Sequence, residues 1–224
     1  MLPMVEVNME FQQVQEIVNG NVIDDNKYVY LTFDDGPSSN TGKVLSILSE
    51  KNVKATFFIL GENLDKNKNL RAVVKQCIED GNAIGNHTYS HEFDKLYPDN
   101  SVNPSAYLDE FNKNNTLLKS ILGEDFDTRV TRMPGGYLSR KYYKDPHLKD
   151  FDKVLKENNI VNIDWTALNG DAEGINYSKK ELLEYAKKSS KGQRQIVILM
   201  HDTYGKEKTV EMLPELIDYY KNNG

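Results

Sequence analysis

Short apolar runs alternate with segments of helical periodicity along most of this chain, and this alternation constrains the fold more than any other feature. The pattern predicts strands at Tyr28–Phe33, Ala55–Leu60, Ala83–Asn86, Thr131–Met133, Asn159–Thr166 and Gln195–Met200. It predicts helices at Thr41–Lys51, Asn69–Asp80, Ser105–Leu122, Asp150–Asn158, Lys179–Ser189 and Thr209–Tyr220. Such alternation is typical of parallel strands covered by helices, either as an open sheet or as a closed barrel.

The length of the chain suits one domain with a substantial core. It has 224 residues, of which 38% are hydrophobic, and no internal repeat or Pro/Gly/Ser-rich linker interrupts it. We therefore expect one domain over residues 25–224, preceded at residues 1–24 by a lead-in or the remnant of a linker. Within the lead-in, the helix-like stretch Val5–Val18 either covers one end of the domain or joins a removed membrane anchor.

Charge and apolar length exclude two classes of partner. The formal net charge of -6 argues against a binder of nucleic-acid backbones. The longest apolar runs, such as Ala55–Leu60, are far shorter than the roughly 20 residues of a membrane span.

The start of the chain, MLPMVEVNME, lacks the basic segment and apolar core of a signal peptide. The single cysteine, Cys77, excludes an intramolecular disulfide and occupies an apolar helical position that favours a buried thiol.

Polar side chains follow the predicted strands, where the carboxyl ends of parallel strands converge on one face. Adjacent side chains of a regular strand point to opposite faces, so Asp34 and Asp35 share one site only if the strand has broken. Gly36–Pro37 is expected to supply that break, and an ordinary turn with two solvated carboxylates is the alternative. The five candidate segments are Asp34–Asp35, His87–His91, Arg132–Gly136, Trp165–Asp171 and Leu199–His201.

Two histidines have the spacing of metal ligands. His87 and His91 are two of only four histidines, and on a helical turn this spacing places their Cβ atoms about 6 Å apart on one face. With one carboxylate they would form a site that leaves positions open for water and substrate, as in catalytic zinc centres. A coincidental surface pair is the alternative interpretation.

Other candidate groups have ordinary structural alternatives. Arg132 is suited to orienting a carboxylate and Gly135 to a close backbone approach, although RMPGG is also typical of a proline turn. His201 ends the apolar run QIVILM, where a structural histidine is the alternative. Asp171 lies in a Gly-Asp loop of a common kind. His147 has charged neighbours, so we expect it on the surface.

Taken in chain order, the five candidate segments resemble the motifs of the polysaccharide deacetylase family, the carbohydrate esterases of family four. TFDDGP at Thr32–Pro37 matches the first motif, and HTYSH at His87–His91 matches the histidine motif. RMPGG is similar to the third motif, with Gly135 where many members carry an aromatic residue. LMHD at Leu199–Asp202 resembles the last motif.

The fourth motif is the loosest match. Members of the family commonly have a Trp on a strand and an Asp-Trp pair six residues later. Here Trp165 is followed at that spacing by Asp171 and Ala172, so Asp171 aligns with the family's aspartate and the second tryptophan is missing. Asp164, in the local Asp-Trp pair, is the alternative.

The resemblance extends over roughly residues 28–220 and implies an α/β fold, a distorted (β/α) barrel with fewer than eight complete repeats. It implies that Asp35, His87 and His91 hold a divalent ion, with Zn²⁺ as the first candidate and Co²⁺ or Mn²⁺ as alternatives.

The resemblance also implies roles for single residues. Asp34 would be the general base, held ionised by Arg132. His201 would protonate the leaving amine, and Asp171 would raise the pKa of His201 so that its ring carries the proton. The substrate contacts would come from Gly135, Trp165, Leu199 and Tyr137.

The activity that the resemblance implies is metal-dependent hydrolysis of N-acetyl groups on a polysaccharide. The N-acetylglucosamine of peptidoglycan is the first candidate substrate, chitooligosaccharides and O-acetylated xylan are alternatives, and all suggest a location outside the cell or in its envelope. Two other classes remain open: a carbohydrate-binding barrel without activity, and a glycosidase with Asp34 and Asp171 as its carboxylate pair. The glycosidase hypothesis gives His87 and His91 no role.

Overall fold

Seven parallel strands form the frame of the protein. The computed structural model describes residues 12–21 and 24–224. In this part of the chain the strands are β1 Tyr28–Gly36, β2 Ala55–Ile59, β3 Ala83–Asn86, β4 Val130–Thr131, β5 Val161–Asn162, β6 Ala167–Leu168 and β7 Gln195–His201. Their order across the sheet is β5-β4-β3-β2-β1-β7-β6, and each paired neighbour runs parallel.

Helices connect the strands, and those that begin at Ser39, Pro104 and Lys179 have a side-chain N-cap. The helix at Ser39–Glu50 begins with a capping box, in which the Ser38 hydroxyl accepts from a backbone N–H and the Thr41 hydroxyl accepts from the Ser38 N–H. The described helices are α1 at residues 12–18, α2 Ser39–Glu50, α3 Gly61–Lys66, α4 Leu70–Glu79, α5 Phe93–Leu96, α6 Pro104–Leu122, α7 Tyr137–Tyr142, α8 Leu148–Glu157, α9 Lys179–Ser189 and α10 Glu207–Asn222.

Most of these elements lie where the sequence predicts them, but one predicted strand is wrong over most of its length. Of the run Asn159–Thr166, only Val161–Asn162 is strand, and the chain then crosses to β6. The physical reason is Arg132, whose guanidinium donates hydrogen bonds to the carbonyl oxygens of Ile163 and Asp164 at 2.8 and 3.1 Å. These two oxygens are therefore bound by a side chain rather than by a neighbouring strand. The short helices α3, α5 and α7 and the strand β6 were not predicted.

The two faces of the sheet bury different clusters. Ile196, Ile198 and Met200 of β7 pack outward against the helices. Val197 packs inward with Phe58 of β2, Val130 of β4 and Ile163, which follows β5. Four strands separate β5 from β7 in the sheet order, so this inner cluster forms only because the sheet curls into a half-barrel. The expected distorted barrel with fewer than eight repeats is confirmed.

Helix α1 lies at the amino ends of the strands. Val14 and Ile17 join the inner cluster, and Val14 lines a cavity of about 70 Å³ with Tyr30, Thr56 and other residues. Residues 12–18 of the helix-like lead-in therefore cover this end of the half-barrel. Residues 5–11 of that predicted stretch lie outside the described residues.

Two predictions about single residues are confirmed. Cys77 is fully buried, and burial raises the pKa of its thiol, as expected for a structural cysteine. The His147 side chain is 55% exposed, as predicted for a surface residue. None of the helices in the described ranges is long and apolar enough to cross a membrane.

Candidate active site

The polar motifs meet at the carboxyl ends of the strands, away from α1. Asp34 and Asp35 lie at the end of β1, His87 follows β3, Arg132 follows β4 and His201 ends β7. Asp34 and His201 are direct partners in the register of β1 and β7. Residues that are distant in sequence therefore surround one point at this edge.

A β-bulge at Asp35 brings both aspartates to this point. The register between β1 and β2 shifts between Asp34 and Gly36, and Asp35 has a left-handed φ of 65°. As a result, carboxylate oxygens of Asp34 and Asp35 lie 3.9 and 3.3 Å from Nε2 of His87. The pairing of β1 with β2 is thus interrupted one residue before the Gly36–Pro37 turn, to which the sequence assigned the break, and it resumes at Gly36.

Gly36 is required by close packing behind the bulge. A Cβ at this position would lie 2.5 Å from Oδ1 of the buried Asp202. The Asp202 carboxyl accepts from the Thr41 hydroxyl, and its carbonyl oxygen accepts from the Ser38 hydroxyl. Burial raises the pKa of Asp202 to about 7. Asp202, to which the sequence assigned no role, thereby ties the turn after β1 to the end of β7.

The segment from His87 to His91 is a loop. Thr88 and His91 have positive φ values of 69° and 60°, and residues 87–92 contain no helix. The two imidazole rings nevertheless lie 5.2 Å apart between centroids. The expectation that a helical turn brings these histidines together is therefore wrong, because left-handed residues in a loop do so.

Asp35, His87 and His91 form a candidate metal centre. One ligand atom from each lies within 4.8 Å of the others. Oδ1 of Asp35 is 3.3 Å from Nε2 of His87 and 3.6 Å from Nε2 of His91. This buried oxygen has no hydrogen-bond partner within residues 12–21 and 24–224. A divalent cation would satisfy it together with the two imidazole nitrogens, so these residues fit such an ion.

Neighbouring groups set the tautomer and the protonation state of these ligands. The Nδ1–H of His87 donates to the carbonyl oxygen of Arg132 at 2.8 Å, which leaves Nε2 as the metal-facing atom. Burial and the charge of His87 lower the pKa of His91, which favours the neutral, ligating form. Burial would raise the pKa of the Asp35 carboxyl, but the histidines around it hold that pKa well below its ordinary value.

Arg132 fixes the Asp34 carboxylate. Its fully buried guanidinium donates to Oδ1 of Asp34 at 2.8 Å and to the Thr32 hydroxyl at 2.7 Å. The other guanidinium hydrogen bonds go to the two carbonyl oxygens after β5. Four acceptors hold the guanidinium in place, so it compensates the charge of Asp34 and sets its orientation.

His201 is paired with Asp171. Its Nδ1–H donates to Oδ1 of Asp171 at 2.7 Å, and its backbone N–H donates to Oδ2 at 3.0 Å. Burial alone would lower the pKa of His201, but the hydrogen bond and charge of Asp171, with the charges of Asp34 and Asp35, raise it to about 9. Nε2 of His201 lies 3.9 Å from Oδ2 of Asp35, beside the candidate metal centre.

Asp164, the alternative partner of His201, has another position. Its carboxylate accepts from the backbone N–H groups of Tyr137 and Leu138 at 3.0 and 2.7 Å, at the start of α7. Of the two aspartates, Asp171 is the one that contacts His201.

Three of the four predicted substrate contacts lie around the same site. Trp165 is 5.7 Å from the Arg132 guanidinium and packs over Gly136, where a Cβ would be 2.6 Å from its ring. Leu199 lies on the inner face of β7, two residues before the terminal histidine of that strand. Gly135 is exposed with a φ of 77°, and its N–H donates to no group in the described part of the chain.

The fourth predicted contact, Tyr137, is turned towards α8. Its hydroxyl donates to Asp152 at 2.9 Å and its ring packs near Phe151, so the structure does not bring it to the metal centre. Phe93 was not predicted, although it is 44% exposed and its ring centroid lies 5.3 Å from that of His91. Its only sequence signal is an aromatic residue two positions after the second histidine.

Comparisons with known proteins agree with this geometry. A family model described as polysaccharide deacetylase matches residues 21–154. A peptidoglycan-N-acetylglucosamine deacetylase of Bacillus cereus is 32% identical over 200 residues, which are 88% of this chain and 64% of that protein. A bifunctional xylanase/deacetylase of Pseudobutyrivibrio xylanivorans is 30% identical over 206 residues, 92% of this chain and 30% of that protein. This chain thus spans less than two thirds of either relative.

A solved structure has the same fold over nearly the whole chain. The structure of a CE4 esterase from Streptococcus mutans superposes with a TM-score of 0.85 at 34% sequence identity. The superposition covers 95% of this chain and 87% of that one.

Proposed function

Because this chain belongs to the polysaccharide deacetylase family, we propose that it is a metal-dependent hydrolase that removes N-acetyl groups from a polysaccharide. The observation that carries the proposal is the convergence of the Asp35, His87 and His91 triad with two buried pairs, Asp34–Arg132 and His201–Asp171. The net reaction consumes one water and yields acetate and a free amine on the sugar.

Asp35, His87 and His91 would hold the ion. Two imidazoles and one carboxylate suit zinc, and cobalt or manganese are alternatives for the same donor set. When bound, such an ion lowers the pKa of a coordinated water and polarises an acetamide carbonyl.

Asp34 would act as the general base. It lies beside the ligand triad, and the Arg132 guanidinium donates a charge-assisted hydrogen bond to its Oδ1 at 2.8 Å. The carboxylate would take the proton of the attacking water as the new carbon–oxygen bond forms. Because Arg132 is itself held by four acceptors, the base is oriented before the substrate arrives.

His201 would act as the general acid. A pKa of about 9 keeps its ring protonated near neutral pH, and the bond from Nδ1 to Asp171 leaves Nε2 as the atom that faces the centre. Nε2–H would give its proton to the leaving nitrogen as the carbon–nitrogen bond breaks.

The rim of the site would bind the reacting group. The N–H of Gly135, which has no acceptor among the described residues, would donate to the oxyanion of the tetrahedral intermediate, a contact that needs no side chain. Trp165 would form a wall for the sugar and Leu199 one for the acetyl methyl group.

We propose the N-acetylglucosamine of peptidoglycan as the substrate. The support is the similarity to the Bacillus cereus enzyme, whose name specifies that activity. Acetylated xylan is the second candidate, because the xylanase/deacetylase relative aligns over 92% of this chain and an ester passes through the same tetrahedral chemistry. Such substrates would place the protein outside the cell or in its envelope.

Mass spectrometry of muropeptides, chitooligosaccharides and acetylated xylan tests the proposal. Each glycan is incubated with zinc-loaded protein, metal-stripped protein and the zinc-loaded Asp34→Asn variant. We expect loss of acetyl groups from muropeptides with the zinc-loaded protein alone. Acetate release that is unchanged in the stripped protein or in the variant would contradict the mechanism.

The same experiment distinguishes a deacetylase from the two other functional classes, a glycosidase and a carbohydrate-binding barrel. New reducing ends with an unchanged acetyl count would favour a glycosidase that uses Asp34 and Asp171. Glycan binding without any turnover would favour a carbohydrate-binding barrel. Deacetylation of xylan alone would replace peptidoglycan as the substrate and leave the mechanism in place.

A further inference from the structure

Two buried polar residues of α6 contact the loop that carries both histidines of the triad. Glu110 and Asn114 lie one helical turn apart on the same face of α6, and they are 1% and 0% exposed. Neither belongs to the five segments identified from the sequence. Buried polar side chains on a long amphipathic helix need partners, and here the partners lie in the loop at residues 87–91, in the elements that flank it and at the end of β2.

Glu110 holds the second half of this loop. Its Oε2 accepts from the backbone N–H of Ser90 at 2.7 Å and from the Ser90 hydroxyl at 2.8 Å. Its Oε1 accepts from Lys95 of α5, which begins just after His91. One carboxylate therefore fixes the chain on both sides of His91, the more exposed of the two histidines.

Asn114 holds the first half of the loop. Its Nδ2 donates to the carbonyl oxygens of Ile59 and Thr88 at 2.7 and 2.8 Å, and it lies 3.2 Å from Oδ1 of Asn86. That Oδ1 also accepts from the Thr88 N–H at 2.8 Å. Asn86 immediately precedes His87, so this network fixes the chain on both sides of the first histidine.

The loop has a conformation that needs such support. Thr88 and His91 both adopt left-handed φ values, which cost non-glycine residues free energy and persist only where the surroundings impose them. Thr88 is also β-branched, which makes a positive φ more unfavourable. Glu110 accepts from Ser90 and Asn114 donates to Thr88, and both of these partners lie inside this strained segment.

We propose that Glu110 and Asn114 are positioning residues that hold the His87–His91 loop in the geometry required for metal binding. They act through the loop backbone, since their hydrogen bonds go to Ser90 and Thr88 rather than to an imidazole. This inference rests on the proposed metal site but not on the identity of the substrate.

Zinc affinity tests the proposal. Glu110→Ala and Asn114→Ala are compared with wild type by competition against a chromophoric chelator, and the unfolding temperature of each metal-free protein is measured in parallel. We expect each substitution to weaken zinc binding by about 10–100-fold, the usual effect of losing support behind a ligand. Glu110→Gln keeps a carbonyl oxygen for Ser90 and should recover most of the affinity.

Exposed neighbours on the same helix provide matched controls. Asp109→Ala and Asn112→Ala remove the same chemical groups from the solvent face of α6 and should leave zinc affinity unchanged. If Asn114→Ala does not fold, Asn114→Ser, which keeps a shorter donor, replaces it.

Wild-type zinc affinity in folded Glu110→Ala and Asn114→Ala would overturn the proposal, as would an equal loss in the controls. So would failure of both Glu110→Gln and Asn114→Ser to fold, because the pair would then serve the stability of the whole domain. Absence of zinc binding in wild type would instead contradict the proposed function. A zinc-binding wild type without deacetylase activity would leave the positioning role intact.

Discussion

Replacing Asp171 by asparagine should change the pH dependence of catalysis in a specific direction. The hydrogen bond and charge of Asp171 are the largest contributions that raise the pKa of His201 to about 9. Without them, only the charges of Asp34 and Asp35 oppose the effect of burial, so we expect that pKa to fall to about 6.5. At about pH 8, a histidine of pKa about 9 is about 90% protonated, whereas one of pKa about 6.5 is about 3% protonated.

The expected loss of rate follows from these fractions. Since the general acid works only when protonated, Asp171→Asn should reduce kcat about 30-fold near pH 8 but less than about twofold near pH 6. The alkaline limb of the profile therefore moves to lower pH. A bound cation lowers the pKa of His201 in both wild type and Asp171→Asn. The quantity to compare is therefore the difference in pH between the alkaline limbs of the two profiles.

The assay is the pH profile of kcat for acetate release by zinc-loaded protein at saturating substrate. Glu173→Gln removes one negative charge from the same loop at an exposed position and serves as the matched control. An alkaline limb that stays in place in Asp171→Asn, or a loss that is equal at every pH, would refute the role of Asp171. A shift of the same size in Glu173→Gln would also refute it.

Two further substitutions test the packing of the site through the free energy of unfolding. Gly36→Ala should lose about 1–3 kcal/mol by urea denaturation, because the new Cβ would lie 2.5 Å from Asp202. Gly42→Ala should be neutral or stabilising, because its new Cβ would have no neighbour within 4 Å among the described residues, and equal effects of the two substitutions would refute the packing argument. Arg132→Met should cost about 3–5 kcal/mol because it leaves the Asp34 charge buried without its partner, and a loss below about 1 kcal/mol would show that the pair is not needed for stability.

Regular elements were predictable because their signals are local. Ala83–Asn86 appears in the structure with the predicted bounds, and the helix predicted around Lys179–Ser189 is present, where Ser178 caps its start. The early end of β5 depends on the guanidinium of Arg132, about 30 positions earlier in the chain. No local pattern indicates that contact.

The candidate site was predictable in its residues but not in its geometry. Motif spacing identified the aspartates and histidines, whereas the bulge at Asp35 and the left-handed φ of His91 arise from packing between elements. Glu110 and Asn114 were missed because charged and amide residues on a helix are usually solvent-exposed. Only the tertiary contacts show that these two buried side chains face the loop at residues 87–91.

The central claim is that one ion at Asp35, His87 and His91 supports deacetylation by Asp34 and His201. Its most direct test is to titrate metal-stripped protein with zinc while acetate and free amine are quantified on an N-acetylglucosamine polymer. We predict that both products appear in equal amounts and that the rate rises to a plateau at one zinc per chain. Full activity in the stripped protein, or no acetate at any zinc concentration, would contradict the claim.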